Sequence, residues 1–88
     1  MILRFEQHAL RDLKKIEKSD CKLILDALHD LAQEADPLQH SNVKKISNAP
    51  STWYRYRIRK YRVIFDADGN ILRIIHVRKR SEKTYHNL

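Results

Sequence analysis

Little in this chain of 88 residues interrupts a regular backbone: it has one glycine and two prolines. That excludes collagen-like and low-complexity readings. Its single cysteine cannot form an internal disulfide or a cysteine-only metal cluster, and such usage fits a reducing compartment. No apolar run approaches the roughly 20 residues that span a bilayer. Arg4 and Glu6 break the N-terminal apolar stretch too early for a secretory signal. The expected address is therefore the cytoplasm, with no membrane partner. A chain this short is expected to form one domain over residues 1–88, hiding only about 60–65% of its unfolded surface. So small a core has no room for a deep active site. Chemistry is expected on an open face or in a shallow groove.

Acidic residues are scarce in the second half. Residues 1–43 carry six basic and eight acidic side chains, whereas residues 44–88 carry twelve basic and three acidic. The halves are thus −2 and +9 within a total of +7. A field this lopsided draws polyanions and speeds their arrival. A merely basic soluble protein is the bland alternative, and it leaves the segregation unexplained.

Residues 1–5 read as a first strand. Residues 6–18 turn helical, with Ala9, Leu13 and Ile16 at i, i+4 and i+7, Leu10 beside them, and Lys14, Lys15 and Lys18 facing out. Ser19 or Asp20 offers the N-cap of a second helix. Its stripe is Leu23, Ala27, Leu28 and Leu31, widened by Ile24 and Ala35, and Asp36-Pro37 stops it. Residues 38–52 read mostly as a polar loop, with a brief pairing segment at 43–46. Residues 53–59 alternate strictly: Tyr54, Tyr56 and Ile58 share one face, Trp53, Arg55, Arg57 and Arg59 the other. In residues 60–66, Tyr61, Val63 and Phe65 oppose Arg62 and Ile64. Residues 66–70 form a hairpin turn around the only glycine. Residues 71–77 are a nearly continuous apolar strand suited to a central position, and a polar tail follows. The fold class is α+β: an N-terminal strand and a two-helix hairpin packed on a mainly antiparallel, curved β-sheet. The arginine row is expected on the face the helices leave open.

Two strand rises separate Arg55 from Arg57, about 6.6 Å, which is close to the phosphate repeat of an extended nucleic-acid strand. Guanidinium groups hold phosphate oxygens in pairs, and Trp53 at the head of the row can stack on a base of any sequence. One arginine alone is better explained as a solvated strand face. The row together with Arg62, Arg78, Lys79 and Arg80 points to a phosphate-binding surface, and Trp53, Arg59, Lys44, Lys45, Arg78 and Lys79 are its candidate RNA contacts. His76, two residues from Arg78 on the same strand face, titrates near neutrality and can act as an acid, although a half-buried sheet histidine is the commoner case. His8, His29 and His40 have no metal-ligand spacing with one another or with Cys21, so no metal or cofactor is expected. The acidic strip Asp20, Asp26, Asp30 and Glu34 reads as a solvated helix face.

Residues 54–65, from Tyr54-Arg55-Tyr56-Arg57 to Tyr61-Arg62-Val63-Ile64-Phe65, resemble the YRxRxxxYRxxx signature of RelE/ParE-type toxins of bacterial and archaeal toxin–antitoxin pairs. The likeness runs on through Asp68-Gly69-Asn70, Ile74-Ile75-His76-Val77, Arg80 and Tyr85, covering essentially the whole chain. RelE-like members cut messenger RNA in the ribosomal A site. ParE-like members share the fold but poison DNA gyrase. The resemblance implies that Arg55, Arg57, Arg62, Arg80 and Tyr85 are catalytic, which favours the nuclease branch. It implies metal-free attack of a ribose 2′-OH on the adjacent phosphate. Arg57, Arg62 and Arg80 would stabilise developing charge, Tyr85 would orient the nucleophile or act as base, and Arg55 would hold the backbone. It also implies a cognate antitoxin, the ribosome and its mRNA as partners, and operator DNA reached through the antitoxin. A plain RNA-binding module is the reading outside this family. The chain has arginine where the best-studied nucleases have lysine at the first two basic positions, and arginine is a poor base. The general base is therefore Tyr85 or a histidine. Four residues separate Arg80 from Tyr85, one more than in many relatives, which makes Lys79 the alternative cation. Arg59-Lys60 replaces the usual glycine, so a looser turn is expected there.

Overall fold

The computed structural model describes residues 1–47 and 52–80. The elements run β1 (Ile2–Phe5), α1 (Gln7–Lys14), α2 (Lys18–Gln33), a turn of 3-10 helix (Pro37–Gln39), β2 (Val43–Lys45), β3 (Trp53–Ile58), β4 (Tyr61–Asp68) and β5 (Ile71–Lys79). They build the expected α+β architecture on one five-stranded sheet in the order β1-β5-β4-β3-β2. β1 runs parallel to β5, and the other three pairings are antiparallel. The two helices fill the connection between β1 and the meander. No helix among the described residues is long and apolar enough to cross a membrane.

The core lies between α2 and one face of the sheet. Ile24, Leu28 and Leu31, at i, i+4 and i+7, are fully buried in one cluster with Tyr56, Ile58, Tyr61, Val63, Phe65, Leu72, Ile74 and Val77. The stripe is therefore centred one residue later than the Leu23–Ala27 line. Leu23 and Ala27 are only partly buried, and Ala35 is exposed beyond the helix end. Both lines are apolar, so periodicity alone could not choose between them. Ala9 and Leu13 bury the inner side of α1, which ends at Lys14, four residues before the expected boundary. Glu17, not Ser19 or Asp20, occupies the N-cap of α2 and makes no side-chain cap bond. Asp20 instead accepts a 2.8 Å hydrogen bond from Tyr61 Oη on β4. That bond ties the first turn of α2 to the sheet.

Two features of the meander differ from expectation. β2 is a short edge strand in a segment read mostly as loop, because Val43 finds a buried place opposite Tyr56 while Lys44 and Lys45 stay exposed. The β3–β4 turn is tight, not loose: Ile58 pairs with Tyr61, leaving Arg59 and Lys60 as the whole loop. Arg59 takes the positive φ of 51° that glycine would normally supply. At the β4–β5 turn that role falls to Gly69, with φ 60°, and β4 extends to Asp68 before turning.

A register shift sits in β5. Ile64 pairs with His76 but Phe65 pairs with Ile74, so Ile75 is an extra residue bulged out of the ladder. Strict alternation would put Leu72, Ile74, His76 and Arg78 on one face. The bulge keeps Leu72 and Ile74 in the core and turns His76 and Arg78 to the opposite face. This is why the sequence of β5 reads as an almost unbroken apolar run.

Candidate functional site

The face away from the helices carries a lattice of side chains in register. One row is Arg57, Arg62 and Arg78 across β3, β4 and β5. The next is Lys44, Arg55, Ile64 and His76, extended onto β2. A third is Trp53, Asp66, Arg73 and, on β1, Arg4. Members of a row lie about 4.8 Å apart and rows about 6.6 Å apart. The first two rows thus hold four arginines, one lysine and one histidine with no carboxylate among them. The third row is internally compensated, since Arg73 Nε lies 3.5 Å from Asp66 and its Nη2 lies 3.4 Å from Asp68.

Arg62 is the centre of the first row and is 92% buried from solvent. Burial pulls its guanidinium down to about 10 from its usual range, and the charges of Arg55, Arg57 and Arg80 push the same way. Like charges facing one another across strands destabilise the sheet. The row therefore concentrates positive charge on this face of the sheet. Arg80, just past β5, folds back on the β3–β4 turn: its N–H donates to Lys60 O at 2.7 Å and its Nη1 to Arg59 O at 3.1 Å. These bonds hold its charge within reach of Arg62.

Beside the lattice, α1 covers the edge of β5 past the point where β1 stops. His8 and Asp12, one helical turn apart, face that edge. Asp12 Oδ2 accepts the Val77 N–H at 2.9 Å and lies 3.6 Å from His76 Nδ1 and 3.7 Å from Arg78 Nε. The His8 ring centre is 5.4 Å from that of His76, and Trp53 approaches from the other side at 6.4 Å. Burial first, then the charge of Arg78, hold the His76 imidazole below the ordinary histidine value, against a smaller upward pull from Asp12. It is therefore neutral at pH 7.

The profile of the ParE toxin of the type II toxin–antitoxin system parDE matches residues 3–84. The chain belongs to this toxin family. Among solved structures it is similar to the toxin–antitoxin complex RelBE2 of Mycobacterium tuberculosis, with 25% identity over 92% of each chain and a TM-score of 0.78. It is similar to a chain of the intact Escherichia coli RelBE complex, with 20% identity, 92% of this chain and 98% of that one covered, and a TM-score of 0.72. The YoeB–YefM complex of Staphylococcus aureus gives 19% identity, 89% and 94% coverage and a TM-score of 0.70. A comparison with curated proteins found no match.

In this ParE-family toxin the expected site residues divide. Trp53, Arg55, Arg57, Arg62, Arg78 and Lys44 share the open face, and Arg80 adjoins it. Lys45 and Lys79 do not join them. They pair with Tyr54 and Tyr61, on the face that carries the helices. Lys79 lines a polar groove of about 520 Å³ there with Lys15, Lys60, Glu17 and Asp20. Arg59 sits in the turn, outside the strand alternation that the sequence assigned to it. Tyr85 lies outside the described residues. Among the described residues no group of His, Cys, Asp and Glu has the arrangement to hold a metal ion. Sequence reasoning missed Asp12 and His8. Their signal was the i, i+4 spacing on one face of α1, which acquires meaning only once α1 is seen against β5.

Proposed function

We propose that this toxin is a ribosome-dependent endoribonuclease that cuts messenger RNA by attack of a ribose 2′-OH on the neighbouring phosphate. The observation that carries the reading is the in-register row Arg57, Arg62 and Arg78, with Arg55 beside it, on the sheet face away from the helices. Cleavage places extra negative charge on the phosphoryl oxygens, and donors already aimed at that charge lower the barrier. Arg57, Arg62 and Arg80 fill this role, Arg55 and Lys44 grip the flanking backbone, and Trp53 stacks on a base. Tyr85 orients the nucleophile. The likeness to RelE and YoeB toxins supports the same reading.

The solved relatives are toxin–antitoxin complexes, and this chain is proposed to have its own antitoxin. An acidic segment suits a half-chain of net +9. Operator DNA is then reached through the antitoxin, and the whole chain acts in the cytoplasm as one domain over residues 1–88.

The second reading, a ParE-type gyrase inhibitor without nuclease activity, is favoured by the family profile. Mapping of message 5′ ends during translation in vitro separates the two. Cuts at the A-site codon, lost in Arg57→Ala, support the nuclease. Intact message together with gyrase-dependent double-strand DNA breaks supports the inhibitor.

A further inference from the structure

The nuclease reading leaves one task unassigned among the described residues. The arginines of the first two rows remain protonated at physiological pH and cannot take a proton from the 2′-OH. Asp66, the one carboxylate in the lattice, is engaged by Arg73 at 3.5 Å in the third row. His76 is the only member of the first two rows that titrates near neutrality. We infer that His76, positioned by Asp12, is the proton acceptor of this face. The inference rests on the nuclease reading above.

Three independent features of the fold point to this assignment. The Ile75 bulge is what places His76 on the arginine face, since strict alternation would have sent it with Ile74 into the core. Asp12 reaches over from α1 and lies 3.6 Å from His76 Nδ1, while Arg78 Nη2 lies 3.5 Å from the same nitrogen; in the proposed tautomer Nδ1 carries its proton toward the carboxylate and Nε2 accepts. The side chain retains 21% of its exposure, enough to meet a ribose without being freely solvated. The groups facing the imidazole are His8 and Asp12 from α1, Arg78 on its own strand, whose Nη2 lies 3.5 Å from Nδ1, and Trp53 from β3. The lattice also supplies the spacing. A phosphate held over Arg57, Arg62 and Arg78 leaves the neighbouring phosphate over the row of Arg55, Ile64 and His76, about 6.6 Å away, and the ribose that joins them between the two rows.

In the proposed step the 2′-O–H bond breaks and its proton passes to His76 Nε2. The 2′-O–P bond forms as the P–O5′ bond breaks. The departing 5′-oxygen takes a proton from water, and the imidazolium returns its proton to the hydroxide so formed. The products are a 2′,3′-cyclic phosphate and a 5′-hydroxyl end, with no oxidant or reductant involved. Asp12 acts through His76 and is a positioning residue.

The test is single-turnover cleavage of message on programmed ribosomes from pH 5 to 9, using the full chain and its His76→Gln and Asp12→Asn variants. The parent rate is expected to rise with pH through an apparent pKa below 6.5 and then level off. His76→Gln is expected to lose about 100-fold or more and to lose that rising limb. Asp12→Asn is expected to keep a limb, moved to lower pH because the carboxylate no longer favours the imidazolium. A folded His76→Gln toxin within threefold of the parent, or one that keeps the limb, overturns the assignment and hands the role to Tyr85. A parent profile flat across that range overturns it even if the variant does not fold. Failure of the parent to cut any message instead removes the nuclease reading itself.

Discussion

Asp12 of α1 accepts the Val77 N–H of β5 at 2.9 Å. β1 pairs with β5 only as far as Ile74, so the rest of this edge needs another partner, and a helix carboxylate provides one. The bond fixes α1 against the strand that presents His76 and Arg78. The basic face and the helical layer are therefore joined through one carboxylate oxygen.

Asp12→Ala is expected to destabilise the fold. It leaves a buried strand N–H without its acceptor, at a cost of about 1–3 kcal/mol. For a domain of this size each kcal/mol lowers Tm by roughly 4–8 °C. Thermal unfolding followed by circular dichroism measures the change. A loss below about 0.5 kcal/mol would mean that water replaces the carboxylate at no cost.

Tyr61 gives a pH dependence of stability at the alkaline end. Its phenol is raised to about 12, by burial first and then by the hydrogen bond to Asp20. In the unfolded chain the phenol ionises near 10, so the native state holds the proton more tightly. The stabilising contribution is fully present below pH 10 and is lost as the pH rises toward 12. Urea midpoints are expected to fall across that window. Tyr61→Phe is expected to be less stable at pH 7 and to show a flatter fall between those two values. An identical fall in both proteins would assign the alkaline loss to other groups.

Arg59 is a stabilisation target. Its φ of 51° lies in the left-handed region, which costs a side-chain-bearing residue roughly 1–2 kcal/mol. Glycine relieves the strain but gives back part of the gain through a more flexible unfolded chain. The net expectation for Arg59→Gly is about +0.5 kcal/mol. The hydrogen bond that Arg80 donates to the backbone carbonyl of residue 59 survives, because it does not use the arginine side chain. Equilibrium urea unfolding reads the change. A destabilised variant would show that the guanidinium of Arg59 contributes more than its backbone costs.

The sheet meander was legible in the sequence because residues 53–58 alternate strictly and residues 61–65 resume in the complementary phase after a two-residue turn, and the alternation correctly paired Arg55 with Arg57 and Tyr56 with Ile58 on opposite faces. β5 was legible as a strand but not in its phase. Leu72, Ile74 and Val77 are all core residues, and a run apolar on both faces carries no mark of the bulge at Ile75. The cap of α2 failed for a different reason. Asp20 has the right chemistry for an N-cap, but it bonds Tyr61, which lies 41 residues further along the chain, and no local rule anticipates a partner at that distance. Lys79 was grouped with Arg78 and Arg80 by sequence proximity, whereas neighbours on a strand face opposite ways.

The arginine row sets the salt dependence of RNA binding. A single-stranded RNA that neutralises its charges on this face releases counterions, and log K falls with log salt by roughly 0.7 per phosphate contact. Arg57 is the exposed member of the row, while Arg62 is buried behind the turn. Removing Arg57 therefore deletes one contact with little effect on packing. Arg57→Ala is expected to keep the parent Tm within about 2 °C and to weaken binding of a short single-stranded RNA. The slope should fall by about 0.7. Lys79→Ala, on the helix side of the sheet, is expected to leave the slope unchanged. Fluorescence anisotropy between about 50 and 200 mM salt measures both. Equal changes for Arg57 and Lys79 would mean that the RNA follows overall charge and not the strand face that the bulge and the register assemble.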